Sequence, residues 1–473
     1  MKKCCIMKTK IDFYITTLEY SKKLSECSSG QIVDIKGQRF LLVNIPDLSE
    51  KEKKFFSEVL EEIKQSQKEM NSKSDVYFFL RDYCLENMIL LNKEQREKIS
   101  LLLEWESMEE SILTPLLIDP DFEEIVINGQ KKPIMVYHQI FGWLTTNIQF
   151  ENEDKIRTIL NKMASPLGRQ LSYHSPMINA VLKNGSRLNA SMSPVAFSGI
   201  NATIRKFKER PLTPLNIIEY GTISTNATAF LWLAMQTSCS ILICGNTGSG
   251  KTTTLNALFC FLPKNERVVV AEETPELTLP QTHTIKLNTA EQVNVNLGTL
   301  IDNTFRMRPD RVIVGEIRNK EEASAFVNTM LAGQARGSYA TFHAESAQEA
   351  IERLKSFGIE ERVLSSIDLI VVQKRISLIE NGFRKEQRKI VEICEVSKTQ
   401  NKLKLIKLFE YSFEKKKLEK KEEGIRLMEK MQRTFSLSKE KVKQLIKEKE
   451  TILSNLQKDI TFWEFFEIAE REN

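Results

Sequence analysis

The chain has 473 residues, room for two to four domains, and its 41% hydrophobic content can supply packed cores. A formal net charge of +5 is small for that length and points to no dominant polyanionic partner. No apolar run approaches the ~18 residues that span a bilayer, and eight cysteines without a C-x-x-C pair give neither a disulfide framework nor a zinc site.

At the N-terminus, MKKCCIMKTKID has lysines but an apolar segment of only four residues, too short for a signal-peptide core, so a cytoplasmic location is expected. Residues 1–112 read as an accessory region, mostly helical. Within it, 31–43 look like two short strands turning at Lys36-Gly37. Residues 51–110, rich in Lys, Glu and Leu and without proline, look like helices, among them 75–91 and 93–103. From 113 to 207, Pro and Gly punctuate short apolar segments. Residues 124–128 and 134–137 look like strands, and 154–164 like a helix. A strand-like run at 202–207 carries Arg205 and Lys206, and Arg187 lies in the turn that starts at Lys183. These predict a compact α+β domain. The segment 208–222 is expected to be a linker, held out of helix by Pro211 and Pro214. A helix follows near 227–236.

The stretch SILICGNTGSGKTTT, Ser240 to Thr254, organises the rest. Ile241, Leu242, Ile243 and Cys244 form an apolar run as short as a buried strand. Gly245 to Thr252 matches G-x-x-x-x-G-K-[ST], and 252–262 reads as a helix stopped by Pro263. Strand, glycine-rich turn and helix stand in the order that a phosphate-binding loop needs. Glycines let successive N–H groups turn inward, and the helix N-terminus adds partial positive charge. Lys251 is expected at the β- and γ-phosphates and the Thr252 hydroxyl on Mg²⁺. The binding set read this way is Gly245, Asn246, Thr247, Gly248, Ser249, Gly250, Lys251, Thr252 and Thr253, with ATP and Mg²⁺ as the cofactors.

Beyond the loop, strands are expected at 267–271, 284–287, 312–314, 338–342 and 369–372. Helices are expected at 295–307, after Asn319 and after Ser346, the last two opened by capping boxes with Glu322 and Glu349. The alternation predicts a mainly parallel sheet covered on both faces, with ligand at the carboxyl ends of the strands. After 410 the composition shifts to Lys, Glu and Leu. Residues 414–433 and 438–456 read as an antiparallel pair of amphipathic helices, and the aromatic run after Ile460 is expected to dock on this chain or a neighbour.

Phosphoryl transfer to water needs carboxylates at the ends of strands in the same sheet. One apolar run ends in Glu272-Glu273-Thr274-Pro275-Glu276. Another ends in Glu316, a Walker B position with Gly315 where aspartate is usual. Glu316 is the expected polariser of water. Glu273 and Glu276 would support the water network, with Glu273 a direct or indirect Mg²⁺ ligand. His343, one of four histidines, ends the strand at 338–342 on the same edge, placed to sense the γ-phosphate.

The ordered series GNTGSGKTTT, AEETPEL, RMRPDRVIVGEIR and GSYATFHAES is similar to the Walker A, Asp, Walker B and His boxes of the type II/type IV secretion ATPase superfamily. Upstream, LTPLLIDPDFEEIVINGQKKPIMVYH and NGSRLNASMSPVAFSGINATIRKF resemble the N-terminal domain of its archaeal branch, which includes archaellum and archaeal pilus-assembly motors. The resemblance implies a homohexamer whose N-terminal and RecA-like domains rock as ATP binds. It implies a polytopic membrane platform protein as partner and pilin-like filament subunits moved indirectly. It puts Arg187 and Arg205 where N-terminal arginines approach the phosphates, and Arg306 and Arg308 at a subunit interface. Glu273 replaces the family's usual aspartate, and the first histidine of the His box, near Gln334, is missing, which leaves His343 alone in that role.

The expected fold class is α/β: a RecA-like P-loop NTPase core at 223–410, a smaller N-terminal α+β (PAS-like) domain at 113–207, and helical extensions at 1–112 and 411–473. The alternative function, a DNA-translocating RecA-like motor, would want a basic aromatic channel. The near-neutral charge argues against it, and no nucleic-acid partner is expected.

Overall fold

The computed structural model describes residues 13–15 and 22–473 except 67, 69, 71, 108–109, 208–210, 291–293, 332, 334, 381–382 and 400–401. The chain divides into two compact units, Met1–Lys208 and Glu209–Asn473.

In the first unit the strands are β1 (Phe13–Ile15), β2 (Lys22–Cys27), β3 (Gly30–Ile35), β4 (Gln38–Val43), β5 (Phe122–Ile127), β6 (Pro133–His138), β7 (Gly142–Phe150), β8 (Met177–Val181), β9 (Arg187–Ser191) and β10 (Asn201–Arg205). They form a ten-stranded sheet in the order β2-β3-β4-β7-β6-β5-β10-β9-β8, with β1 also on β7. The helices are α1 (Glu50–Gln65), α2 (Lys73–Glu86), α3 (Lys93–Ser107), α4 (Thr114–Ile118) and α5 (Glu153–Ala164). Lys36 and Gly37 turn the β3–β4 hairpin with φ of 52° and 84°, the two-residue geometry whose twist suits paired strands.

Residues 1–112, expected as a mostly helical accessory region, hold α1, α2 and α3 but also β1–β4, which join the same sheet as β5–β10. A lone hairpin cannot bury an apolar face, so β4 pairs with β7 and the Asn147 side chain accepts the Val43 N–H at 2.8 Å. Ile32, Leu41, Phe56 and Leu103 share one core with Ile125, Val136 and Ile204. On the far half of the sheet, Arg205 stands directly opposite Arg187 on β9 and Glu124 on β5. Lys206 leaves the strand, and its ammonium donates to the carbonyls of Leu116, at 3.3 Å, and Asp119 at the end of α4.

In the second unit the strands are β11 (Ile241–Cys244), β12 (Val268–Glu272), β13 (Thr284–Asn288), β14 (Arg311–Ile317), β15 (Gly337–Phe342), β16 (Leu369–Glu380), β17 (Phe383–Thr399), β18 (Lys402–Ser412) and β19 (Lys417–Lys420). The order is β13-β12-β14-β15-β11-β16-β17-β18-β19. Pairing is parallel from β13 to β16 and antiparallel from β16 to β19. Helices α6 (Pro214–Glu219), α7 (Thr225–Gln236), α8 (Lys251–Leu258), α9 (Leu297–Thr304), α10 (Lys320–Leu331), α11 (Ala347–Ser356), α12 (Glu361–Leu364), α13 (Arg426–Phe435), α14 (Lys439–Asn455) and α15 (Phe462–Arg471) complete it. β11 is buried on both faces. Ile241 and Ile243 pack with α7 and α8, while Leu242 and Cys244 pack with α9, α10 and α11.

Three expectations change. Pro214 starts α6 instead of preventing a helix: its missing N–H is one that no helical partner needs at the first position. Thr213 and Asn216 close a capping box there. Residues 208–210 of the expected linker lie outside the described residues. Second, the helix expected over 414–433 is a turn through Lys416 (φ 51°), then edge strand β19, with helix only from Arg426. Its Lys417, Glu419 and Lys420 suit a sheet edge, where charge blocks further pairing. Third, the strand expected to stop at 372 runs on to Glu380 and turns back as β17, whose charged sequence hides its alternation.

Residues 411–473, expected as a charged helical extension, pack onto the core of the second unit. Leu427, Met431, Val442, Leu453 and Phe465 enter the core of α7 and α8. Trp232 stacks on Phe261 with ring centroids 4.7 Å apart, and Lys449 covers it at 4.7 Å. The fully buried Glu395 carboxylate caps α13, accepting the N–H groups of Ile425, Arg426 and Leu427 at 3.0, 3.1 and 2.9 Å. The aromatic tail thus docks on its own chain. Among the described residues no helix is long and apolar enough to cross a membrane.

Candidate active site

β11 ends at Cys244, and α8 begins at Lys251, so residues 245–250 form the loop at the carboxyl end of a central parallel strand. Gly245 must lack a side chain, since a Cβ there would lie 2.0 Å from the Gln373 carbonyl oxygen. Gly248 and Gly250 take φ of 72° and 91°. The Lys251 side chain is 7% exposed and donates to the carbonyls of Gly245 and Asn246 at 3.0 and 3.3 Å. Thr252 and Thr253 are half-buried in the first turn of α8. Two side chains from the antiparallel strands meet the same loop. Gln373 donates to the Ser249 carbonyl at 2.8 Å and accepts from the Thr254 hydroxyl at 2.7 Å. Arg388 Nε donates to the Gly248 carbonyl at 3.0 Å.

β15 lies between β11 and β14, so the ends of these strands gather Glu316 and His343 beside Lys251. Glu316 Oε1 stands 2.7 Å from His343 Nε2 and 3.9 Å from Lys251 Nζ. Oε2 accepts from Arg318 Nε at 2.8 Å, with Nη2 at 2.7 Å. Partial burial pushes the Glu316 carboxyl up. The Arg318 hydrogen bonds and the charges of Arg318, His343 and Lys251 outweigh it and hold the group below the usual carboxylate range. Burial, then the Lys251 charge, holds His343 below its ordinary value despite Glu316. At neutral pH the site therefore pairs an ionised carboxylate with a neutral imidazole. At its opposite end β14 is anchored by Arg311, which is 1% exposed, bonds Glu266 at 2.6 and 3.0 Å, and also reaches Tyr339 and Thr237.

The Asp-box residues separate. Glu273 is an exposed partner of Arg318. Glu276 is half-buried, and its N–H donates to Glu272 Oε1 at 3.1 Å. Glu272, not among the residues singled out from sequence, is 3% exposed, and burial pushes it up to about 7. A Cβ on Gly315 would sit 3.1 Å from Glu272 Cγ. The space that an aspartate at 315 would need is thus filled by Glu272. The signal for it was its place as the last residue of an apolar strand. Arg318 was also missed; its signal was the two-residue spacing from Glu316, which puts both on one side of an extended chain. Arg187 and Arg205 are neighbours on β9 and β10 of the first unit. Arg306 and Arg308 are exposed, and Gln334 lies outside the described residues.

The residues fit a nucleotide phosphate. A nearly buried ammonium is bonded to loop carbonyls that an anion could replace, and the buried Ser249 hydroxyl oxygen has no hydrogen-bond partner in the same loop. Among the described residues no group of three or more His, Cys, Asp or Glu side chains could hold a metal alone.

A parallel sheet with this loop at its carboxyl edge, a lysine and threonine opening the next helix, and an acidic strand end two strands away defines an α/β P-loop ATPase fold. The chain belongs to the family described as type II/IV secretion system protein, whose profile matches residues 106–458. It is 36% identical over 325 residues to MJ0900, an uncharacterized protein of Methanocaldococcus jannaschii, a match over 67% of this chain and 58% of that one. The chain thus spans about half the length of that relative. It is 29% identical over 316 residues to the type IV secretion system protein VirB11 of Bartonella quintana, over 56% of this chain and 87% of that one. The solved ATPase DotB of Yersinia pseudotuberculosis is 15% identical, covers 81% of this chain and 95% of its own, and superposes with a TM-score of 0.45.

Proposed function

We propose that this chain is a motor ATPase that hydrolyses ATP to power assembly or secretion of a type IV pilus-like filament or archaellum. It works as a homohexamer at the cytoplasmic face of the membrane, against a polytopic platform protein. Family membership and the archaeal relative support that reading. The observation that carries the hydrolytic part is Glu316, ionised and held by His343 and Arg318 within 3.9 Å of the loop lysine.

Bound ATP with Mg²⁺ supplies the γ-phosphoryl group and the charge that neutralises its oxygens. Lys251 exchanges its two loop carbonyls for phosphate oxygens. Thr252 would offer its hydroxyl to Mg²⁺, and Glu273 and Glu276 would support the metal or the water network. Glu316 orients the water and takes its proton. His343 donates Nε2–H to Glu316, fixes the carboxylate plane and loosens when Glu316 is protonated. His343 is also tied to α11, because Arg353 donates to its backbone carbonyl, so that loosening can reach a helix. On this reading the first unit is the PAS-like N-terminal domain, and Arg187 and Arg205 are its candidate catalytic arginines.

The test is hydrolysis against protein concentration. ATPase rate should rise more than linearly and vanish in Lys251→Ala, and sedimentation with a non-hydrolysable ATP analogue should show a species near six subunits. A monomer fully active at every concentration contradicts the ring.

A further inference from the structure

Two side chains outside every recognised box reach the phosphate loop from behind. Gln373 on β16 is 2% exposed; its Nε2 donates to the Ser249 carbonyl at 2.8 Å. Arg388 on β17 donates Nε–H to the Gly248 carbonyl at 3.0 Å. The carbonyls are consecutive, and each belongs to a trans peptide whose N–H points the opposite way. Drawing the Gly248 oxygen outward therefore turns the Ser249 N–H inward, where it donates to the Asn246 carbonyl at 3.2 Å. Drawing the Ser249 oxygen outward likewise turns the Gly250 N–H inward. Inward N–H groups are what such a loop offers an anion. Gln373 is fixed in turn by the Thr254 hydroxyl on α8, at 2.7 Å. Arg375 and Arg388 are paired across β16 and β17, and a Cβ on Gly248 would come within 3.4 Å of Arg375 Nη1. The antiparallel half of the sheet thus forms the outer wall of the loop.

We propose that Gln373 and Arg388 are positioning residues that hold the phosphate loop in its anion-binding form, so that nucleotide affinity depends on the β16–β17 hairpin. The inference rests on the phosphate-site reading above. A hydrogen bond of this kind contributes roughly a factor of 5 to an equilibrium when lost, and more when it leaves a buried group unpaired.

The full-length chain is titrated with a fluorescent ADP analogue and assayed for ATP hydrolysis. Arg388→Leu should bind ADP about 5-fold more weakly and raise KM by a similar factor, with kcat within twofold because Glu316 is untouched. Arg388→Gln, which keeps a donor for the Gly248 carbonyl and loses the charge, should recover most of the affinity. Gln373→Leu should weaken ADP about 30-fold or more, since it orphans two buried groups. Because Arg388 is only half-buried, its variants decide the matter even where Gln373→Leu does not fold. Wild-type protein that binds no ADP sinks the phosphate-site reading itself. Wild type that binds, with Arg388→Leu equally tight, overturns this inference alone. Arg388→Gln as weak as Arg388→Leu also overturns it, because charge and not carbonyl orientation would then be at work.

Discussion

Glu272 carries a buried ionisation whose cost can be measured. Burial raises its carboxyl from the usual 4.5 to about 7, against a lowering bond from the Glu276 N–H. Each tenfold change in proton affinity is worth about 1.4 kcal/mol, so keeping Glu272 ionised in the folded chain costs about 3 kcal/mol. Between pH 4.5 and 7 the folded state holds a proton that the unfolded state has released. Stability then falls as pH rises through that window, and the loss is complete above it. Glu272→Gln removes the ionisation while keeping an oxygen for the Glu276 N–H. Relative to wild type the variant should be nearly neutral at pH 5 and more stable by up to about 3 kcal/mol at pH 8. Urea unfolding at a series of pH values, followed by a probe in the second unit such as Trp232 fluorescence, measures the difference. A wild-type–variant gap that is flat with pH, or that closes toward pH 8, would refute the burial argument.

Glu395→Ala strips the acceptor from three N–H groups at the start of α13 and should cost about 3 kcal/mol or more; limited proteolysis should then cut near 421–426, and an unchanged melting temperature would contradict it. Arg205→Ala should fold normally, bind ADP with near-normal affinity and lose ATPase rate by about 10³-fold; a mild effect would make it a surface charge. Lys206→Ala should instead lower the melting temperature of the first unit, since it removes two carbonyl contacts at the end of α4, while activity per folded molecule is kept.

The parallel half of the second unit was legible because its strands are short apolar runs separated by capped amphipathic helices. β11 fell at 241–244 as expected, and the loop and its lysine stand at the strand end that the pattern requires. The antiparallel half was not legible. In β17 charged residues such as Lys389 and Glu395 are themselves buried, and in β19 only Leu418 is apolar, so neither shows a period-two signal; a Lys-Glu run reads equally as a solvated helix or an edge strand. The site divided along the same line. Glu316 and His343 end apolar strands and could be placed, whereas Gln373 and Arg388 act through a register between distant strands that no local spacing encodes. Glu272 and Glu273 are adjacent, so choosing between them needed the direction of one strand residue. The structure turns Glu272 inward against Gly315 and Glu273 outward to Arg318.

In the proposed mechanism Glu316 activates water at a phosphate loop that binds independently of it. Glu316→Gln keeps the side-chain shape and removes the charge that His343 and Arg318 hold in place. The deciding measurement pairs ATP binding with single-turnover hydrolysis on this variant. The expected result is wild-type or tighter ATP binding with hydrolysis slowed by about 10²-fold or more, as for loss of a base. Hydrolysis at the wild-type rate would contradict it.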